Sequence, residues 1–181
     1  EGEHQVLVAP EYLKDFVEKL FEKAGMDHSD AAFHAKALVD TDLWGISSHG
    51  CMRAPAYFER MRNGAIKVKP DIKIVSGGGA VGVRNSNHFV AGAIYAIMAA
   101  EQGMVGIAMT NVLPLVTAPG AKKPVTGNNP IAIAIPTYGE FPFCLDMALS
   151  KVAGGKLTLA MKRGEKIPSD WATDSEGRPT E

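Results

Sequence analysis

The sequence has little cysteine: two residues in 181, Cys51 and Cys144. That excludes a disulfide-stapled scaffold. It has no excess of charge of either sign. Nineteen Lys and Arg stand against 20 Asp and Glu, a net charge of −1 with His neutral. Nucleic-acid modules are usually plainly basic, so no nucleic acid is expected as a partner, and a strongly charged ligand gains no long-range steering. Long apolar runs are also absent. The longest candidate, residues 131–136, is strand-sized, well short of the roughly 18 residues of a membrane span. No membrane is therefore expected as a partner. The first five residues, Glu1-Gly2-Glu3-His4-Gln5, lack the basic start and apolar core of a signal peptide. A cytoplasmic location is expected. The five histidines, at 4, 28, 34, 49 and 88, form no cluster with zinc-site spacing, and no metal is expected. There is no internal repeat and no low-complexity tract.

What is present is a chain 46% hydrophobic and 22% charged, enough for one sizeable domain, or one domain with a small satellite. Residues 1–70 read as an N-terminal helical region. Pro10 suits a first helical turn. Leu13, Phe16, Val17, Leu20, Phe21 and Ala24 then follow the spacing of an amphipathic face that Gly25 ends. A second helix, capped by Asp27 or Ser29, buries Ala31, Ala35, Leu38 and Val39 and closes at Gly45. A third is expected over residues 52–63.

From Asp71 the texture changes to an α/β or α+β pattern. Strands are expected at 72–75, 104–110, 131–135 and 143–145. Helices are expected at 89–102 and 152–162. Residues 112–130 read as loop and 169–181 as a polar, turn-rich tail. The Ile/Ala alternation of 131–135 suggests a strand packed on both faces.

Several patterns carry possible chemistry. Gly77-Gly78-Gly79-Ala80-Val81-Gly82 matches G-x-G-x-x-G in letters. A dinucleotide fingerprint also needs a helix opening within it, whereas residues 83–87 are strand and turn chemistry. An ordinary Rossmann dehydrogenase is an alternative reading, and a helix starting within residues 79–83 would support it.

Ser47-Ser48-His49-Gly50 lies between two helices, with Arg53 and Tyr57 four and eight residues after His49. That spacing puts His49, Arg53 and Tyr57 on roughly one face. An Arg fork binds a carboxylate through two parallel hydrogen bonds, and His is suited to proton transfer near neutral pH. The same residues also read as a capping serine, a loop histidine and a surface arginine. Asn85-Ser86-Asn87-His88 precedes an apolar helix, where Asn87 is either an ordinary N-cap or part of an anion site. Gly127-Asn128-Asn129-Pro130 is a turn whose amides could hold a cofactor or simply turn the chain. A lone Asp146 after a short strand more often caps than catalyses. A Cys51–His49 nucleophilic pair is disfavoured, since sequence neighbours rarely point at each other.

Taken together, these segments resemble the malate/L-lactate dehydrogenase family, the non-Rossmann group that also holds sulfolactate, ureidoglycolate and diketogulonate oxidoreductases. The resemblance rests on Asp42-Leu43-Trp44-Gly45-Ile46-Ser47-Ser48-His49-Gly50 with Arg53 and Tyr57, then Val83 to Phe89, Gly106 to Asn111, Gly127 to Ala132 and Leu145 to Ala148. Ile167-Pro168, Trp171-Ala172 and Gly177 to Thr180 complete the order. It spans nearly the whole chain.

The resemblance implies a non-Rossmann α/β cofactor-binding domain after the helical region, over residues 71–181. It implies an NAD(P)-dependent oxidoreductase, using NAD or NADP to interconvert small 2-oxo and 2-hydroxy acids, and working as a homodimer. Ser48, Arg53 and Tyr57 would bind substrate, and His49 and His88 would be the proton-transfer candidates. Thr110, Asn111, Val112, Asn128, Asn129, Pro130, Phe143, Cys144, Leu145, Asp146, Met147 and Ala148 would contact the cofactor.

There are departures from the family pattern. Asn128 stands where the family has Thr, Val90 near a common Gly, and Val112 at a common Ser. A strand and a helix of the family are absent between Val75 and Gly79. The family also continues beyond the position of Glu181 with a further cofactor-contacting motif. The chain is therefore expected to lack an internal segment, with a break wider than the roughly 3.8 Å of bonded Cα atoms between Val75 and Ala80. An inactive, dimer-forming fragment is the rival functional reading.

Overall fold

The computed structural model describes residues 6–73 and 78–181. The expected break near residue 75 lies largely outside them. The chain forms two compact units, Glu1–Val90 and Ala91–Glu181. Residues 71–73 and 78–90 thus group with the helices, whereas the sequence reading began the second domain at residue 71.

In the first unit, α1 (Pro10–Lys23) and α2 (His28–Leu43) pack as an antiparallel pair. Pro10 occupies the first turn of α1, and Gly25 follows the helix with a φ of 99° that an L side chain rarely adopts. The core of this unit is Val17, Phe21, Ala31, Ala35, Leu38, Ala54 and Met61, with Tyr57 and Val90 packed against it. The third helix begins later than the spacing suggests. Two 3-10 turns, Ser47–His49 and Cys51–Arg53, precede α3 (Ala54–Arg62). No strand forms at 71–73, and the rest of the expected 72–75 strand lies outside the described residues.

In the second unit, α4 (Gly92–Ala100) lies on a three-stranded sheet of β1 (Gly106–Met109), β4 (Ile131–Ile135) and β5 (Phe143–Met147). The order is β1-β4-β5 and both pairings are antiparallel. The stretch 112–130 contains a short hairpin, β2 (Val116–Thr117) with β3 (Pro124–Thr126). Beyond the sheet come α5 (Gly154–Arg163) and the two-residue pair β6 (Ala172–Thr173) and β7 (Pro179–Thr180).

The register separates side chains by size. Gly106, Ala108, Ala132, Ala134, Cys144 and Asp146 share the face that α4 covers. The backbones come so close there that a Cβ on Gly106 would overlap the Ala96 carbonyl. Ile107, Met109, Ile131, Ile133, Ile135, Phe143, Leu145 and Met147 share the opposite face, all exposed or half-buried. The strand 131–135 is therefore covered on one face, not two.

The helix expected from Phe89 opens at Gly92, because Val90 takes a left-handed φ of 63° that no helix accommodates. Asn87 is accordingly not its cap. No helix starts within residues 79–83, and every sheet pairing among the described residues is antiparallel. The Rossmann alternative is overturned, while a mixed fold of helices and strands stands. No helix among the described residues is long and apolar enough to cross a membrane.

Candidate functional site

The two 3-10 turns of the first unit are held by Asp42, whose Oδ2 accepts the Cys51 amide at 2.9 Å. A Cβ at Gly50 would overlap this carboxylate, which accounts for glycine after Ser47-Ser48-His49. Burial, then a hydrogen bond to Asp42, pushes the Cys51 thiol up to about 12. A thiol pushed up in this way is a poor nucleophile near neutral pH, which disfavours a Cys51–His49 nucleophilic pair.

Arg53 closes the second turn and donates Nε–H to the Ser48 carbonyl at 2.8 Å. One edge of the guanidinium is thereby pinned, and the two terminal nitrogens form a fork of fixed orientation. Ser48 is buried, and its Oγ lies 2.9 Å from His49 Nδ1. The His49 and His88 rings stand 5.4 Å apart between centroids, tilted by 31°. Tyr57, on α3, sets its hydroxyl 2.5 Å from His88 Nδ1. Arg60, seven residues after Arg53 on the same side, donates Nη2–H to Asn87 Oδ1 at 3.1 Å. These two bonds fasten the 85–90 loop to α3.

The loop is locally strained. Asn85 and Val90 are both left-handed, with φ of 59° and 63°. Asn tolerates this conformation, but for β-branched Val it is an outlier. The consequence is that the Val90 amide points back to His88 Nδ1 at 3.2 Å. His88 as a residue is exposed, yet its ring lies against His49 and Tyr57. Burial of the ring, then the nearby His49, Arg53 and Arg60, lowers its imidazole to about 4.

The residues matched to cofactor binding lie in the second unit, and most converge at one end of the sheet. There Met109, Ile131 and Met147 sit side by side. Just beyond, Thr110 donates its amide to the Pro130 carbonyl at 3.3 Å, and Leu149 donates to Asn128 at 2.7 Å. The Val112 amide reaches Asn129 Oδ1 at 3.0 Å, with Asn129 at a φ of 31°. A Cβ on Gly127 would overlap the Val112 carbonyl, so the turn admits only glycine there. Thr110, Asn111, Val112, Asn128, Asn129, Pro130, Met147 and Ala148 are thus neighbours. Phe143, Cys144 and Leu145 are not, since they run toward the opposite end of β5. Asp146 accepts the Ala93 amide at 2.8 Å and caps α4 across the fold. The α4 N-terminus is therefore not an anion site formed by Asn87, because a carboxylate already occupies it.

Sequence reasoning missed Asp42, Arg60 and the Val90 amide. Arg60 had a signal, since at three residues after Tyr57 and seven after Arg53 it continues the same helical face. Asp42 heads the first family motif and Val90 departs from the family pattern, but neither role is legible there, since one acts from the preceding helix and the other through its backbone.

The malate/L-lactate dehydrogenase family model matches residues 8–80 and 75–181, two stretches that overlap at the Gly-rich junction. The malate dehydrogenase of Pyrococcus abyssi is 38% identical over 211 aligned positions, covering 98% of this chain and 58% of that protein. With 181 residues here, that relative carries residues inside the aligned region that this chain lacks. The (2R)-3-sulfolactate dehydrogenase (NADP(+)) of Chromohalobacter salexigens is 36% identical, covering 88% of this chain and 57% of that one. The crystal structure of malate dehydrogenase from Entamoeba histolytica superposes with a TM-score of 0.89 at 28% identity, over 96% of this chain and 58% of that chain. The chain thus spans somewhat over half the length of the relatives it matches. Matched along both stretches, and with the fold of those relatives, the chain belongs to the malate/L-lactate dehydrogenase family.

Proposed function

We propose that the protein is an oxidoreductase that interconverts a small 2-oxo acid and its 2-hydroxy acid with NAD or NADP. The observation that carries this reading is the pinned Arg53 fork set beside two histidines whose rings are 5.4 Å apart. Arg53 holds the substrate carboxylate by two hydrogen bonds from its terminal nitrogens. A histidine then exchanges the proton at the adjacent oxygen, worth roughly 10²–10⁴-fold in rate. Ser48 orients His49, and Tyr57 orients His88. A bound nicotinamide dinucleotide supplies or accepts the hydride.

The donor set at the sheet end fits part of such a cofactor. Thr110, Asn111 and Asn128 offer neutral donors and acceptors suited to an amide and ribose hydroxyls, and Gly127 lets backbone approach closely. They offer no cation for a pyrophosphate, and Asp146 already fills the α4 N-terminus. The names of relatives, one of them specifying NADP(+), support the same chemistry. A homodimer belongs to this reading, supported by the eight large apolar side chains on the open sheet face. Action in the cytoplasm belongs to it as well, supported by two free thiols.

The test is oxidation of NADH and NADPH by the protein with a panel of small 2-oxo acids, alongside cofactor titration by fluorescence. Turnover with at least one acid is expected. Cofactor binding without turnover on any acid rejects the substrate class. Neither binding nor turnover establishes the inactive dimer-forming fragment instead.

A further inference from the structure

The two histidines of the site are held by different kinds of partner, and the difference has a chemical meaning. His88 Nδ1 is approached by the Val90 amide at 3.2 Å and the Tyr57 hydroxyl at 2.5 Å. A backbone N–H can only donate. Nδ1 must therefore be the acceptor nitrogen, and Tyr57 must also donate to it. The ring proton then sits on Nε2. His49 Nδ1 faces a hydroxyl, Ser48 Oγ, at 2.9 Å. A hydroxyl donates or accepts by rotation, so it serves His49 in either protonation state.

We propose that Val90 and Tyr57 act as positioning residues that lock His88 as the neutral Nε2–H tautomer, so that His88 serves the site as a fixed hydrogen-bond donor. The chemical part of this inference rests on the oxidoreductase reading, while the tautomer does not. Protonating His88 needs a proton at Nδ1, which would face the Val90 N–H directly. Arg53, Arg60 and His49, the cationic or titratable groups nearest the ring, oppose it as well. Deprotonating Nε2 would leave an imidazolate. His88 therefore keeps its proton and polarises the substrate oxygen.

The left-handed backbone of Val90 belongs to the same device. A conformation costly for a β-branched residue is kept where its amide is aimed at a catalytic-site ring. The side chain, packed on the first unit's core, holds it there.

The test begins with ¹⁵N NMR of the imidazoles in the protein without substrate or cofactor. His88 is expected to show an unprotonated Nδ1 and a protonated Nε2 at neutral pH. Tyr57→Phe should shift the Nδ1 resonance toward the averaged position of exchanging tautomers. Val90→Gly keeps the N–H and accepts the left-handed φ, so the tautomer should persist. A protonated Nδ1, equal tautomers in the parent protein, or an Nδ1 resonance unmoved by Tyr57→Phe overturns the lock. None of these outcomes depends on activity, so they leave the oxidoreductase reading untouched. His88→Gln, which restores an N–H donor, should retain more kcat than His88→Ala. Equal kcat in His88→Gln and His88→Ala overturns the donor role.

Discussion

Arg53 Nε donates to the carbonyl of Ser48, the residue immediately before His49, at 2.8 Å. The arginine is therefore held by the same short turn that carries the histidine, and the two move as a unit. Arg53→Met removes the charge and the anchor while keeping most of the stem. Loss of a charged hydrogen-bond partner costs about 1.5–3 kcal/mol, roughly ten- to hundredfold in kcat/KM, expressed mainly in KM. Arg53→Lys should fall between the two. Steady-state kinetics decide it, and an unchanged kcat/KM in Arg53→Met removes the carboxylate clamp.

Asp146 caps α4 from a position 53 residues away in sequence. Its removal should behave as the loss of an N-cap, costing about 0.5–2 kcal/mol. Asp146→Ala should lower the urea midpoint by that scale without changing the slope. Asp146→Asn keeps an acceptor oxygen and should lose less. Identical stabilities for the parent and Asp146→Ala would show that the cap contributes nothing.

Gly106 sits beneath the Ala96 carbonyl with no space for a Cβ. Gly106→Ala must push α4 off the sheet, and overpacking of this kind costs about 1–3 kcal/mol. The same exchange at Gly154, which has open space around it, should be far milder. Thermal unfolding of the two variants compares them directly, and equal effects would contradict the close approach.

The pH dependence of stability has two opposed contributions. His88 is held below the ordinary imidazole value of 6.5, at about 4, and His34 is lowered by burial. Between 6.5 and 4 the unfolded chain binds protons that the folded chain refuses. The His88 contribution is whole above 6.5 and is lost as pH falls toward 4, and that of His34 is likewise lost as pH falls below 6.5. His28 is raised by its hydrogen bond to Glu22 and by Glu18, so its contribution is whole below 6.5 and is lost as pH rises through its folded value. Denaturation of the parent and of His88→Gln at pH 7 and pH 5 separates them. The variant should lose less stability on acidification, and an equal loss would contradict the lowered value.

The parts of the fold legible in the sequence were those set by local rules. The first two helices followed from apolar spacing, Pro10 and Gly25. What local rules could not reach was set from a distance. The start of α4 was misplaced because Phe89 and Val90 extend the apolar pattern, while the left-handed Val90 ends it. The β2–β3 hairpin hid in a proline-bearing stretch because two- and three-residue strands have no periodicity to read. The Ile/Ala alternation looked like a doubly buried strand, though it records a size difference between a face touching a helix backbone and one that does not. In the site, the Ser48–Tyr57 group was visible as a spacing. The arrival of His88 beside it depends on backbone angles in the 85–90 loop, which no composition rule supplies.

The connectivity of the second unit has a kinetic consequence. β4 and β5 form a local hairpin, a step of microseconds, and α4 runs into β1 through a short turn. The pairing of β1 with β4 must close a long stretch, 110–130, with its own small hairpin inside. Closure entropy grows slowly, about 0.6 kcal/mol for each doubling of loop length, so an insertion within 110–130 should slow assembly only mildly. The residues proposed to meet the cofactor lie at the two ends of that stretch. They exist as neighbours only once β1 has paired with β4, so gain of cofactor binding should follow the formation of helix and hairpin in time, and never precede it.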